Sequence, residues 1–80
     1  MSDLNNLLGS VSLFAGNFAP DGYLDCNGQP LQINTNAALY SILGTKFGGD
    51  GRTVFNLPRL TAPAKMRYII CVQGLYPQRS

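Results

Sequence analysis

Eighty residues make one small domain that is 45% hydrophobic but only 12% charged, with a formal charge of +2. A chain of this size buries only about 60% of the surface its unfolded form exposes, so it needs a dense core, a cross-link or a partner chain. Little charge is left to cover an ordinary monomer surface, and Lys46, Arg52, Arg59, Lys65, Arg67 and Arg79 form no stripe of the kind that binds nucleic-acid phosphates.

At the front, Leu4, Leu7 and Leu8 stand at i, i+3 and i+4 behind Ser2 and Asp3, the spacing of a helical turn that Gly9 stops early. One turn is unstable alone. Residues 1–10 are therefore expected to be an arm that gains order from another subunit, and residues 11–80 the domain. The arm lacks a basic start and a continuous apolar stretch, and no part of the chain approaches the roughly 20 apolar residues that span a bilayer. Neither a classical signal peptide nor membrane insertion is expected.

"SVSLFAG" alternates as a half-buried strand should, with Val11, Leu13 and Ala15 on one face and Ser12 and Phe14 on the other. Pro20, Asp21 and Gly22 then supply turn chemistry. "YLDC" is a second strand, and Asn27-Gly28 suits a tight type I′ hairpin turn after it. "LQINTNAALYSILGT" carries the clearest helix, about two and a half turns long. Asn34 or Thr35 can cap it, Ala38, Leu39, Ile42 and Leu43 form its apolar strip, and Gly44 suits its left-handed end.

Next comes "KFGGDGRTVFNLPRL". Its spacing is not that of a phosphate-binding GxxxxGK[ST] loop, so Gly48, Gly49, Asp50, Gly51 and Arg52 are assigned to a structural turn. The glycines supply φ > 0 and Asp50 accepts bonds from amides two or three residues on. Arg52 is placed to bond carbonyls or to pair with Asp50 or Asp25. Phe55 and Leu57 then drop onto the helix from a short strand that ends at Pro58. Pro58 and Pro63 bracket a loop, and "MRYIICVQG" is apolar enough to be the covered centre of a sheet. The class is α+β: a small β-rich domain with one short helix packed on a sheet.

Catalysis has little to work with. There is no histidine or glutamate, which removes the commonest general base and most zinc sites. Asp21, Asp25 and Asp50 lack the spacing of a calcium loop, and Ser10, Ser12 and Ser41 lack an activating partner. No enzyme activity and no cofactor or metal are expected. Cys26 and Cys71 lie in apolar strand-like runs far apart. They are either two buried thiols or a disulfide between neighbouring strands with Cα atoms about 4.4–6.8 Å apart.

The ordered set "FAGNFAPDGY", "CNGQ" and "NAALYSILGTKFGGDGRTVFNLP" within residues 13–60, with the ending "YIICVQGLYPQRS", resembles the phage tail collar domain family of tail-fibre proteins and the bacterial microcystin-dependent protein group. The resemblance implies a non-enzymatic, β-rich module at the end of a fibre, usually an intertwined trimer, in phage tails or related injection machines. The departures stand out: Arg59 replaces the usual aspartate after "LP", "TAPAK" replaces the Gly-Arg-rich continuation, and the chain runs almost directly to the last strand without the large insertion through which some longer relatives recognise host surfaces. What remains is a packing core suited to a repeated building block.

The expected function is a structural protein that self-assembles into a fibre, filament or fibre-tip oligomer, with Leu4, Leu7, Leu8, Leu75 and Tyr76 as contacts. Its partners would be copies of itself and other tail-fibre or appendage proteins. Its location would be an extracellular appendage or a virion tail, after a cytoplasmic stage. Closed trimer and open polymer both fit. The alternative is a small adhesin for surface polysaccharide, in which Tyr23, Tyr40, Tyr68 and Tyr76 stack on sugar rings beside Asp25, Asn27 and Gln29.

Overall fold

The computed structural model describes residues 6–78. In chain order they form β1 (Val11–Phe14), β2 (Tyr23–Asp25), β3 (Pro30–Gln32), α1 (Ala37–Leu43), β4 (Val54–Asn56) and β5 (Arg67–Cys71). Three strands make an antiparallel sheet in the order β1-β5-β2, and β3 pairs with β4 in a second. This is the expected α+β architecture.

β5 is the centre of its sheet because it alone is apolar on both faces, and Ile69, Ile70 and Cys71 are all buried. Its register sets Ile70 opposite Val11 on one side and Leu24 on the other. Directly opposed residues share a face, so Leu24 and Ile70 point together into the core. There they meet Leu39 of α1, Phe55 of β4, Leu57, Leu8 and Cys26. Phe55 and Leu57 are fully buried, as their alternation before Pro58 required.

Several expectations need correction. Asn27-Gly28 closes no β2–β3 hairpin. Gly28 alone of the two has positive φ, whereas a type I′ turn needs it at both positions. Asn27 instead bridges Arg59 and the chain leaves β2 to pair β3 with β4. The helix has seven residues and starts after Asn36, not after Asn34 or Thr35. The Asn36 side chain donates back to the Gln32 carbonyl at 2.9 Å and caps nothing. Gly44 does end the helix, at φ +56, with its N–H on the Tyr40 carbonyl.

Cys26 and Cys71 are buried free thiols. Their strands are neighbours, as a disulfide would need, but the register is wrong: Cys71 faces Tyr23, and the Cys26 N–H bonds the Tyr68 carbonyl. Three residues of strand, about 10 Å, separate the two positions along the ladder, beyond the reach of a disulfide.

The described part of the expected arm, from Asn6 on, is also held by its own chain. Leu7 forms a parallel bridge with Leu75, the Leu8 N–H bonds the Leu75 carbonyl at 2.8 Å, and the Leu75 N–H bonds the Asn6 carbonyl at 2.8 Å. Residues 6–8 are thus sewn to the far end of the same chain.

Candidate interaction surface

The glycine turn is built as a bracket for β4. Gly48, Gly49 and Gly51 have φ of +121, +104 and +73. The Asn56 N–H reaches the Gly48 carbonyl at 3.0 Å, and the Gly51 N–H reaches the Val54 carbonyl at 3.2 Å. Asp50 sits at the centre. Its Oδ1 accepts the N–H groups of Arg52, Thr53 and Val54 at 2.8, 2.9 and 3.1 Å, and its Oδ2 accepts the Thr53 hydroxyl at 3.0 Å.

Four donors favour the charged carboxylate and hold Asp50 far below the ordinary carboxylate range, the Arg52 amide contributing most. The sign follows from linkage. A depressed folded pKa stabilises above the unfolded value near 4, and that stability is lost as pH falls through the folded value. Asp50→Asn should therefore melt lower than the parent at pH 7, with the gap narrowing as the pH is taken down towards 2. Thermal melts of the two proteins across that range check it, and a gap that stays constant contradicts the assignment.

Arg52 does not pair with Asp50 or Asp25 through its side chain. The Asp25 partner is Arg67, at 2.7 Å. Arg67 also donates to the carbonyls of Gly16 and Asn17, at 3.2 and 2.9 Å, so one guanidinium fastens the loop after β1 to β2. Arg52 instead lines an open groove with Gln32, Asn34, Thr53 and Val54. The pattern-based reading overlooked Arg67 because its aspartate lies 42 positions away.

The expected interface residues separate into three groups. Leu4 lies outside the described residues. Leu8 is only 6% exposed and belongs to the chain's own core, which removes it as an inter-subunit contact. Leu7, Leu75 and Tyr76 are 37%, 62% and 50% exposed, and the Leu7–Leu75 bridge puts the first two together. Tyr76 shares a 2.6 Å hydroxyl hydrogen bond with Ser41 of α1. Val11 and Leu13, assigned from alternation to a half-buried face, are 42% and 43% exposed, because β1 is an edge strand that overhangs the core.

The tyrosines are dispersed. Tyr40 packs on Phe55 with ring centroids 5.3 Å apart. Tyr68 lies opposite Leu13 and Tyr23 opposite Cys71, which puts those two rings on opposite faces of the sheet. Among the described residues, no cluster of three His, Cys, Asp or Glu could hold a metal, and no helix is long and apolar enough to cross a membrane.

The result is a small α+β module with several large apolar side chains exposed, Leu7, Val11, Leu13, Leu75 and Tyr76 among them. The phage tail collar domain model matches residues 9–63, more than half of the chain, and the protein belongs to that family of tail-fibre structural domains. No curated protein matches it. The matched span holds β1 to β4 and α1, while β5, the strand that joins β1 to β2, follows it.

Proposed function

We propose that the protein is a non-enzymatic structural subunit that self-associates through its apolar surface into a fibre, filament or fibre-tip oligomer of a phage tail or related appendage. The observation that carries this reading is the exposure of Leu7 and Leu75, brought together by their bridge, with the neighbouring Tyr76 also half exposed. The chain is only 12% charged over 80 residues, and exposed apolar patches mark association sites. Partners are copies of the chain and, in a particle, neighbouring tail-fibre proteins.

The test is mass by light scattering over a dilution series, beside negative-stain microscopy. The parent should exceed 8.6 kDa, either as a fixed multiple or as a mass that grows with concentration. Leu7→Asp places a charge on a half-exposed side chain, so it should keep the fold, as judged by circular dichroism, and weaken association at least tenfold. A parent that stays monomeric at every concentration overturns the reading.

A further inference from the structure

β1 forms one edge of its sheet, and what it presents there follows from its register. The Gly9 N–H bonds the Cys71 carbonyl at 2.9 Å while the Cys71 N–H bonds the Ser10 carbonyl at 2.9 Å. Two residues therefore oppose one. With Gly9 at φ +85, this is a bulge of the glycine type. Beyond it, hydrogen-bonded and non-hydrogen-bonded pairs alternate along an antiparallel ladder. Ser12 and Phe14 exchange bonds with Ile69 and Arg67, whereas Val11 and Leu13 turn their N–H and C=O groups away from β5. No strand among the described residues pairs with that outer side.

The edge is also undefended. Natural edge strands are kept from pairing by charges, proline or a covering loop, and "VSLF" has neither charge nor proline. Arg67 pulls the following loop back across the sheet through Gly16 and Asn17 and so leaves the edge open. Val11 and Leu13 stand there with over two-fifths of their surface exposed.

We propose that β1 pairs with β1 of a second copy of this chain, antiparallel, about a twofold axis that passes through Ser12. This rests on the self-association proposed above and specifies one contact within it, an isologous one that joins copies in pairs, so that a fibre or a trimer takes a second surface such as that at Leu7 and Leu75. An antiparallel self-pair occupies all four outward groups only when Val11 faces Leu13 of the partner subunit and Leu13 faces Val11 of the partner subunit. Ser12 then meets Ser12 of the partner subunit in a non-hydrogen-bonded pair, with Cα atoms about 4.5 Å apart. A small side chain tolerates that approach. The four apolar side chains gather on the core-facing side, continuing the Ile70 and Tyr68 surface, and two three-stranded sheets become one.

Backbone complementarity and charge favour a second copy as the occupant: the edge offers two N–H and two C=O groups in a self-complementary order, with Val11 and Leu13 exposed beside them. The edge backbone with Ser10, Ser12 and Ala15 supplies polar and small neighbours. With no charge on β1, self-pairing brings no like charges together.

The experiment is Ser12→Cys under mild oxidation, run beside exposed Ala64→Cys as a control, and Val11→Lys followed by light scattering. Cys26 and Cys71 are buried, and burial, with Asp25 adding to it, pushes the Cys26 thiol up to about 11, so the native thiols do not compete. Cysteine at 12 should give a covalent dimer on non-reducing gels at concentrations where cysteine at 64 leaves the monomer. Val11→Lys should weaken association at least tenfold with an unchanged far-ultraviolet spectrum. A parent above monomer mass with no cross-link at 12 overturns this contact while self-association stands. A monomeric parent with no cross-link removes both.

Discussion

Gly49→Val should leave no folded protein in solution: the chain is expected in the insoluble fraction, and any recovered material should lack a cooperative melt. Two effects coincide at this residue. Its φ of +104 is a conformation that β-branched residues scarcely adopt, and strain of that kind costs about 1–3 kcal/mol. A Cβ there would also lie 2.5 Å from Phe55 Cα and 2.6 Å from the Val54 carbonyl oxygen. Both obstacles are backbone atoms of β4, which cannot swing aside without moving the fully buried Phe55 ring. An 80-residue domain holds roughly 4–12 kcal/mol in total at 0.05–0.15 kcal/mol per residue, so strain and displacement together exhaust it. Gly48→Ala is the informative control, because a Cβ there meets the side-chain amide of Asn56 at 2.8 Å, the end of a movable group. It should fold with a lowered melting temperature. A Gly49→Val protein that melts sharply near the parent temperature would sink this account.

The turn was legible because its chemistry is local. Glycine tolerates positive φ and aspartate bonds the amides just after it, so both roles lie within the seven residues from Gly48 to Val54. The central place of β5 was legible from a run apolar on both faces, and the burial of Phe55 and Leu57 from alternation ahead of a proline. Partner choice over distance was not legible. Nothing near Asn27-Gly28 shows that β3 will pair with β4 rather than β2, nor does the spacing around Asp25 point to Arg67.

The leucine stripe misled for a related reason. Helical spacing put Leu7 and Leu8 on one contact surface, but the chain is pinned by bonds to Leu75 and to Cys71 at this point. Residues 7–10 make a turn, closed by the Ser10 N–H on the Leu7 carbonyl at 3.0 Å, rather than a turn of a continuing helix. Leu8 turns into the core and Leu7 outward. Likewise, alternation in β1 correctly marked a strand, yet whether its apolar face is covered depends on what lies beyond the sheet edge.

Phe55→Ala should bring the isolated subunit to the limit of its stability, and the shortfall should be recovered by raising the protein concentration. The Phe55 ring is completely buried, meets Tyr40 at a 58° tilt, and belongs to the cluster that joins Leu39 of α1 to Ile70 of β5. Removing it takes away contacts from helix and both sheets at once. A phenylalanine deletion of this kind costs about 3–5 kcal/mol, a large part of the roughly 4–12 kcal/mol available. If folded copies associate and unfolded ones do not, mass action stabilises the fold as concentration rises. The urea midpoint of Phe55→Ala should therefore climb between micromolar and hundred-micromolar protein, while adding Val11→Lys or Leu7→Asp should flatten that climb. Phe55 touches no proposed contact, so a concentration-dependent midpoint reports assembly through the energetics of folding. A midpoint that is low but independent of concentration would confirm the core assignment and count against self-association as a source of the protein's stability.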